Sequence, residues 1–581
     1  MSALFILRSA AQGLEGSDEP SGLPPVRASL AAQGFSAERH FRWPGGCLGW
    51  LPTPGHPETA SHWLIEPNGA LACVGTLFFD GSAGPAALAR LFAAFHSPAD
   101  LAHLPLSGSF MAFLCKDGKA WLFGDPVGLV KAYRTADSTL FSTSWLACAE
   151  NSGEAVLDRI GALDYILAGA NHDERTPLAG VRIVDPAVAI DLQTGQPVTA
   201  YPAADWHPAA PFQRQDEALD ECQHIMESTA RAIGSAFPGG VHAALSGGFD
   251  SRLIVASLLA TGNRPALHVY GRPADDDVTI AQSIARALAL DLTPIDKSVL
   301  NAAQPALDAA QIQRNLTFFD GIPIDGIFDR GADRQTRIAQ SAGGAVALNG
   351  GGGEVLRNFF YLHDRPFAAA DIARVFYSNY PPAAVRRPQD LAAYRDYLAH
   401  AMEHQVGQQG LLPRPLVELL YPLFRCRFWM SRNNTLAARC GDFLTPLLEP
   451  RLVRAAARIP LAWKDYGRFE AALITRIHPA LGQFPLAYGF TPAAGPDRRS
   501  RASLWLQHRR PPWLRASMAA LKALRGQRSP PLAQLFPGLI PDSPWLDEVL
   551  DSTRLIDEGQ VLRAATLAVA GRHLGIRRAD G

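Results

Sequence analysis

The strongest constraint on the fold of this chain is a strand, turn and helix pattern within residues 241–260. Residues 241–245 form an apolar run with one His, typical of a buried parallel strand, and Leu and Ala recur with helical spacing after Asp250. Between them lies the turn SGGFDS, residues 246–251. Backbone N–H groups at such a turn point at one spot, and the dipole of the following helix adds positive potential there. The residues predicted to hold phosphate are Ser246, Gly247, Gly248 and Ser251.

Asp250 is the unusual component of this turn, because a carboxylate repels phosphates unless a cation lies between them. A second turn of the same design occurs in residues 345–356, AVALNGGGGEVL, where a strand leads into four glycines and then Glu354. Both turns are predicted to follow parallel strands, so that Asp250 and Glu354 face one crevice and share a Mg²⁺. Gly352 and Gly353 are predicted to line its other wall. The alternatives are an ordinary strand-turn-helix at the first turn and a flexible surface loop at the second.

Two other phosphate-binding motifs are absent from the chain. No Gly-Lys-Ser/Thr ends the first turn, as a Walker loop requires, and G-x-G-x-x-G is not found. Cleavage of a nucleotide between its β- and γ-phosphates is therefore not indicated.

The order of the predicted elements indicates an α/β protein with two major domains. Residues 1–152 alternate short apolar strands with Gly, Pro and Asp turns, which predicts a mainly β domain with one helix near 85–97. Residues 153–215 predict a helix, a connecting hairpin and a Pro/Ala-rich linker. Residues 216–581 begin with alternating strands and helices, typical of a doubly wound parallel sheet, and continue as a large, mostly helical extension. A chain of 581 residues with 48% hydrophobic content is ample for these cores.

Composition argues against several classes of protein. The formal net charge of −1 gives no support for nucleic-acid binding, and the basic stretch after residue 490 is interpreted as a solvated face or a docking surface. Seven scattered cysteines without a C-x-x-C pair indicate neither a zinc site nor a disulfide framework, so a cytoplasmic location is expected. No apolar run is long enough to span a membrane, and the first residues lack the basic region of a signal peptide.

The two turns and their surroundings resemble the asparagine synthetase family, in which a loop like SGGFDS serves cleavage of ATP between the α- and β-phosphates. LNGGGGEV is similar to the family's L-S-G-E-G-x-D-E segment, and residues 442–460, DFLTPLLEPRLVRAAARIP, to its E-A-R-x-P-F-L-D segment. GSFMAFLCKDGKAWLFGDPVGLVKAY and LFSTSW resemble the family's glutaminase domain. The resemblance covers most of residues 40–460. It implies an amino-terminal glutaminase-like αββα sandwich followed by an ATP-dependent synthetase domain.

Departures from the family pattern bear on function. Ser2 stands where the family has a nucleophilic Cys, so release of ammonia from glutamine is not expected; the alternative is that Ser2 is itself an N-terminal nucleophile. Gly351 stands where the family has a Glu or Tyr, which leaves Asp442 as the predicted general base, with a helix-end salt bridge as the alternative. Ala487 stands where the family has a Lys that neutralises pyrophosphate. The candidates for that role are Arg468, Arg476, Arg498 and Arg499.

Within the family, the chain most resembles the lasso peptide cyclases. Two aromatic-rich helices predicted between Glu354 and Asp442 either wall a cavity for a folded peptide or add core. The resemblance implies an enzyme that uses ATP and Mg²⁺ to join the N-terminal amine of a precursor peptide to an Asp or Glu side chain, forming an isopeptide bond. It also implies a leader peptidase and a precursor-recognition protein as partners. The alternatives are an amidotransferase-type enzyme acting on a small metabolite or saccharide, and a catalytically silent nucleotide-binding scaffold.

Overall fold

The computed structural model describes residues 2–8, 22–53, 62–498, 501–502, 505–506, 510–515, 517–518 and 530–579. These residues form two six-stranded antiparallel sheets, then a five-stranded parallel sheet and many helices. The predicted α/β fold class, a sandwich followed by a doubly wound sheet with a helical extension, is confirmed. None of the helices in the described ranges combines the length and hydropathy of a membrane span.

The amino-terminal sandwich is built from the first twelve strands. They are β1 (Ala3–Arg8), β2 (Arg39–Trp43), β3 (Gly46–Leu51), β4 (Trp63–Glu66), β5 (Gly69–Phe79), β6 (Leu106–Lys116), β7 (Lys119–Gly124), β8 (Tyr133–Thr135), β9 (Leu140–Ser142), β10 (Val181–Ile183), β11 (Val188–Asp191) and β12 (Pro197–Thr199). One sheet has the order β10-β8-β9-β1-β3-β2, and the other has the order β12-β11-β7-β6-β5-β4. The segment predicted as a connecting hairpin thus adds a strand to the first sheet and two to the second.

Apolar layers inside and outside the sandwich explain why β5 is buried along its whole length. Alternate residues of β1 and β5 pack between the two sheets, and the others pack against helices. The helices of this half of the chain are α1 (Leu23–Ala32), α2 (Pro85–Ala94), α3 (Trp145–Glu150) and α4 (Arg159–Ala168). Apolar residues of α2 cover the outer face of the second sheet, while those of α1 and α3 cover the first.

The parallel sheet organises the rest of the chain. Its strands are β13 (Val241–Ala244), β14 (Ala266–Tyr270), β15 (Leu292–Ile295), β16 (Val346–Leu348) and β19 (Phe443–Leu444), while β17 (Phe367–Ala368) and β18 (Leu411–Leu412) form a separate antiparallel pair. The order β15-β14-β13-β16-β19 reverses between β13 and β16. β13 and β16 lie where the sequence predicts strands before the two Gly-rich turns, whereas β19 does not appear in the prediction.

The helices of the second half flank this sheet and form the extension. They are α5 (Gln215–Ala236), α6 (Asp250–Ala260), α7 (Asp276–Ala287), α8 (Lys297–Ala302), α9 (Ala309–Phe318), α10 (Ala332–Gln340), α11 (Ala369–Phe376), α12 (Pro388–Val406), α13 (Arg414–Leu420), α14 (Ser431–Ala437), α15 (Pro450–Ala457), α16 (Leu461–Lys464), α17 (Arg468–Ile477), α18 (Leu532–Leu535), α19 (Pro544–Asp547) and α20 (Glu558–Leu574). A helix of π type, Tyr421–Met430, joins α13 to α14. All seven cysteines are buried.

Candidate functional site

The two Gly-rich turns lie at the point where the strand order reverses. Residues 246–251 follow β13, and residues 349–354 follow β16, its parallel neighbour. Carboxyl ends of parallel strands share one edge of a sheet, and ligands of open α/β sheets bind where the order reverses. The predicted meeting of the two turns in one crevice therefore has a topological cause.

The first turn is held by its own side chains. The N–H of Ser246 donates to Ser251 Oγ at 3.0 Å, and the N–H of Gly248 donates to Ser246 Oγ at 3.2 Å. The N–H of Gly247 donates to Asp277 Oδ1 at 2.7 Å. Phosphate bound by these three N–H groups would have to take the place of oxygen atoms that they already contact.

A segment near the carboxyl terminus packs against this turn. The N–H of Ala487 donates to the carbonyl of Gly247 at 3.0 Å, so the position where the family has a Lys lies beside the predicted phosphates without a charge. Arg252, which is buried, holds the segment by donating to the carbonyls of Phe484 and Pro485, both at 2.7 Å. This packing explains why the turn and the late segment lie together.

Gly353 allows the second turn to approach the first. Its N–H donates to Asp250 Oδ2 at 2.9 Å. A Cβ at this position would lie 2.7 Å from Asp250 Cγ and 2.7 Å from Glu470 Oε1, closer than van der Waals contact permits. Gly352, just before it, has a φ of +105°, in the left-handed region that favours glycine. Both glycines predicted to line the wall are thus required by the local geometry.

Three carboxyl groups surround one guanidinium at this edge of the sheet, and we call them the carboxylate cluster: Asp250, Glu354 and Glu470. Arg357 contacts all three. Its Nη2 donates to Asp250 Oδ1 and lies 3.3 Å from Glu354 Oε1, while its Nε lies 3.1 Å from Glu470 Oε2 without hydrogen-bond alignment. Glu470 is fully buried, and neither of its oxygens has a hydrogen-bond partner among the described residues. The structure therefore brings together the two predicted metal ligands and adds a third carboxyl group.

The cluster is electrostatically unbalanced. Burial raises the pKa of Asp250 to about 7, despite the opposing effect of Arg357. Burial also raises the pKa of Glu470 well above its usual value. Burial has the same effect at Glu354, but Arg357 and the hydrogen bond from Tyr421, with smaller contributions, together hold that pKa below its ordinary value. The guanidinium of Arg357 thus favours ionisation of Glu354, whereas Asp250 and Glu470 remain harder to ionise than a carboxyl group in water.

The helical insert closes the cluster from above. The hydroxyl of Tyr421, the first residue of the π helix, donates to Glu354 Oε2. Other aromatic residues of the insert pack as core, as in the stacked rings of Phe424 and His172, with centroids 4.4 Å apart. Of the two interpretations of the insert, the packing of these rings favours added core. Helices of π type are frequent at functional sites, which agrees with the place of Tyr421 here.

A crevice of about 200 Å³ opens beside the second turn, over β13, β14 and β16. Gly350 lines it together with His268, Tyr270 and an ion-paired group in which Lys297 Nζ lies 2.5 Å from Asp333 Oδ1. Burial lowers the pKa of His268 to about 4, so its ring is neutral at physiological pH. Its Nδ1 has no hydrogen-bond partner within the described part of the chain. A neutral ring with a free polar atom suits the edge of a heteroaromatic base.

Asp442, the predicted general base, lies at the edge of the sheet opposite the two Gly-rich turns. It immediately precedes β19, which runs parallel to β16, so it lies at the amino ends of the strands, opposite the two turns. Its Oδ1 accepts a hydrogen bond from Thr76 at 3.0 Å and lies 3.7 Å from His62 Nε2. This position argues against the predicted role, because a base must reach the reacting amine. Ser2, the alternative nucleophile, is buried at the start of the sandwich.

The arginines proposed to neutralise pyrophosphate are not gathered at the turns. Arg468 donates to backbone carbonyls of its own segment, and Arg476 forms an ion pair with Asp220. Arg498 is exposed, and Arg499 lies outside the described residues. The cation that does lie at the cluster is Arg357, which the sequence interpretation omits although it follows Glu354 by one helical turn.

Asp250 and Glu354 are the residues of the carboxylate cluster that could hold a Mg²⁺ together with phosphate oxygens. No group of three or more His, Cys, Asp and Glu side chains within the described ranges could by itself hold a metal ion. Mg²⁺, however, is commonly bound by one or two carboxylates together with phosphate oxygens and water. Around Gly353, three carboxyl groups face a single guanidinium. This excess of carboxyl groups is consistent with a bound Mg²⁺.

Comparisons with known proteins add little to this geometry. No family model and no curated protein matches the chain. Among solved structures, glutamine phosphoribosylpyrophosphate amidotransferase from B. subtilis, complexed with ADP and GMP, is 10% identical, over 61% of this chain and 77% of that one, with a TM-score of 0.22. A structure described as the allosteric regulatory enzyme of purine biosynthesis is 11% identical, over 51% of this chain and 65% of that one, also with a TM-score of 0.22. Likenesses this weak carry no argument about function.

Proposed function

We propose that this protein is an ATP-dependent, AMP-forming ligase that closes an amide bond within a peptide. The observation that carries the proposal is the convergence of Asp250 and Glu354 on one guanidinium, between two Gly-rich turns at the point where the strand order reverses. Two carboxylates with an uncompensated charge are the arrangement that a Mg²⁺-nucleotide needs.

The bound nucleotide would extend across both turns. Ser246, Gly247, Gly248 and Ser251 would contact the phosphates from one side, and the 352–353 backbone from the other. Asp250 and Glu354 would hold Mg²⁺, which neutralises the charge of the pyrophosphate leaving group. The crevice lined by His268 would take the nucleoside, since it opens beside the second turn.

The reaction has two steps. A carboxylate oxygen of the substrate attacks the α-phosphorus, the bond to the β-phosphate oxygen breaks, and pyrophosphate leaves. An amine of the same molecule then attacks the acyl carbon, AMP leaves, and the amine loses a proton. The product is lighter than the substrate by one water. Arg357 lies among the carboxylates and would stabilise the negative charge that develops on the phosphates.

The substrate class in this proposal is a precursor peptide whose Asp or Glu side chain is joined to its own N-terminal amine. It rests on the resemblance to lasso peptide cyclases. A leader peptidase and a precursor-recognition protein would act with it in the cytoplasm. Asp442 has no place in this mechanism.

Exchange of labelled pyrophosphate into ATP tests the adenylation step, with candidate precursor peptides, Mg²⁺ and the full chain. We expect Asp250→Asn to lower exchange about 10³-fold, because the loss of one charge-neutralising contact costs several kcal/mol in the transition state. Asp442→Asn is the matched control, since it makes the same change at the opposite edge of the sheet. We expect it to retain exchange within about threefold. Equal loss in both variants would contradict the site.

A silent nucleotide-binding scaffold is the second candidate, because Arg357 already lies among the carboxylates and position 487 lacks a cation. In that case Mg²⁺-ATP would raise the melting temperature of the wild type and not that of Asp250→Asn, while no AMP would form with any peptide. Release of AMP together with a peptide lighter by one water excludes the scaffold.

A further inference from the structure

A groove of about 520 Å³ lies between α17 and residues 490–496, outside the two Gly-rich turns. The residues of α17 that line it recur at intervals of three and four, which places them on one face of the helix: Arg468, Ala471, Ala472, Thr475 and Arg476. Phe490 and Pro492 belong to the other wall. The volume falls within the range of about 300–1,000 Å³ that is typical of ligand sites. The groove is therefore large enough for a substantial part of a substrate.

The wall formed by residues 490–496 is held in place by backbone hydrogen bonds. The N–H of Ala493 donates to the carbonyl of Gly482 at 3.0 Å. The N–H of Gly495 donates to the carbonyl of Thr491 at 2.9 Å. The chain therefore forms the groove without a ligand, which lowers the cost of ordering it when a ligand binds.

One end of the groove lies next to the first Gly-rich turn. Phe490, which lines the groove, has its ring centroid 6.2 Å from that of Phe249, which belongs to the turn. The guanidinium of Arg357 lies 5.7 Å from the centroid of the Phe249 ring. Helix α17 also joins the two places, because Glu470 of the carboxylate cluster immediately precedes Ala471 of the groove wall. A ligand that lies in the groove would therefore extend to the place of the proposed adenylation.

The lining of the groove is mainly apolar, and its charged residues are basic. None of the described residues that line it is acidic. Arg476 forms ion pairs with Asp220 and Asp216 on α5, so its charge is already offset. Arg468 donates to backbone carbonyls through Nε and Nη2, while its Nη1 makes no hydrogen bond with a described residue. The groove thus suits an apolar ligand with an acceptor oxygen near Arg468.

We propose that this groove binds the apolar segment of the substrate peptide that flanks its activated Asp or Glu, with an acceptor oxygen of that segment on Arg468. The inference rests on the proposed function, because the occupant is the molecule whose carboxylate is adenylated. A metabolite with little beyond its reacting groups would leave a groove of this volume empty. Binding energy from the parts of a peptide that do not react instead holds the carboxylate in line with the α-phosphorus.

Fluorescence anisotropy of a labelled candidate precursor peptide tests the proposal, with the full chain and without ATP. Ala494→Trp adds a large ring at an exposed residue that lines the groove, and we expect it to weaken peptide binding about tenfold or more. Ala392→Trp is the matched control, because it makes the same change at an exposed residue of α12 that does not line the groove. We expect this control to bind the peptide within about twofold of the wild type.

Arg468→Gln tests the polar contact. The residue is exposed and forms no ion pair with a described acid, so the fold is expected to be retained, as checked by circular dichroism. Peptide binding should weaken about fivefold or more. A peptide whose apolar residues beside the acidic one are replaced by Ser should bind the wild type about tenfold more weakly. The proposal is overturned if both variants leave peptide affinity unchanged, or if the Ser-substituted peptide binds equally well.

The groove and the ligase activity fail in distinguishable ways. Binding that Ala494→Trp weakens, without AMP formation by the wild type, would support the groove and contradict the ligase. AMP formation with an unchanged KM for the peptide in Ala494→Trp would support the ligase and overturn the groove. The groove is also overturned if no candidate peptide binds the wild type at about 1 mM.

Discussion

Two buried charge clusters in this protein are built in opposite proportions. At the interface between the sandwich and the second half, one carboxylate, that of Asp320, faces two guanidiniums, Arg432 at 2.9 Å and Arg439 at 3.6 Å. In the carboxylate cluster one guanidinium, that of Arg357, faces three carboxyl groups. The carboxylate of Asp320 therefore has all the cationic partners it needs within the chain, whereas the carboxylate cluster has fewer cations than carboxyl groups.

The surroundings of Asp320 satisfy it in full. It accepts hydrogen bonds from Ser144 Oγ at 2.5 Å and from the N–H groups of Trp145 and Leu146 at 2.9 and 3.1 Å. Burial alone would raise its pKa, but Arg439 and Arg432 outweigh burial and hold that pKa below its ordinary value. The acid is thus ionised and pins the start of α3 to the segment after α9.

Glu470 has the same chemistry and the same burial with the opposite result. Neither of its oxygens accepts a hydrogen bond from a described residue. Its ion pair is with Arg357, whose Nε lies 3.1 Å from Oε2, and the carboxyl groups of Asp250 and Glu354 oppose its ionisation. The comparison separates two uses of buried charge. A carboxylate that is surrounded by donors holds a fold together, whereas carboxyl groups left short of donors are the candidates for holding the proposed cation.

The largest effect is expected from Asp320→Asn. The amide keeps the shape but leaves the guanidiniums of Arg432 and Arg439 buried without a counter-charge, which should lower the free energy of unfolding by about 3–5 kcal/mol. Urea unfolding of the full chain measures it. Asp371→Asn is the control, since the Asp371–Arg374 pair is exposed and its loss should cost less than about 0.5 kcal/mol. A similarly small effect of Asp320→Asn would contradict the conclusion that Asp320 holds the fold together.

The same change in the carboxylate cluster, Glu470→Gln, is expected to have the opposite sign. It removes a carboxyl group that lacks donors and lies against two others, so the free energy of unfolding should stay unchanged or rise by about 1–2 kcal/mol. The measurement is again urea unfolding, beside Asp320→Asn. If Glu470→Gln destabilises the protein as much as Asp320→Asn does, Glu470 is a structural residue. The interpretation that the cluster lacks positive charge would then be wrong.

Local patterns explain which parts of the site could be predicted from the sequence. The turn at 246–251 is encoded within one strand and one helix, and the meeting of Asp250 with Glu354 follows from parallel topology alone. Arg357 lies one turn after Glu354 and could have been named from that spacing. Glu470 and Tyr421 reach the cluster only through the packing of α17 and the π helix, which no local pattern encodes.

The position of Asp442 could not be predicted from the sequence for a related reason. The strand β19 is only two residues long, Phe443–Leu444, too short for the alternation that identifies a strand. Had it been recognised as a parallel neighbour of β16, the residue before it would have been placed at the amino edge, away from the turns.

A third charge cluster lies at the surface. It tests whether the effect of a shortage of positive charge on stability depends on burial or only on the ratio of carboxylates to cations. His404 lies between two carboxylates, with Nδ1 3.0 Å from Asp173 and Nε2 3.8 Å from Asp185, and its side chain is 55% exposed. A hydrogen bond to Asp173 is the main cause that raises the pKa of His404 to about 9.

The sign of the pH dependence follows from that shift. A His whose folded pKa lies above its unfolded value of about 6.5 stabilises the protein fully below that value and loses its contribution as the pH rises through about 9. We expect His404→Gln to lower the free energy of unfolding by about 1 kcal/mol or less at pH near 6, after allowance for solvent screening, and not at pH near 10. Thermal unfolding at the two pH values measures the difference, and about 0.5 M salt should reduce it. A loss of stability as large as that of Asp320→Asn would contradict this expectation. It would mean that the ratio of carboxylates to cations sets the cost, and that solvent does not reduce it at an exposed site.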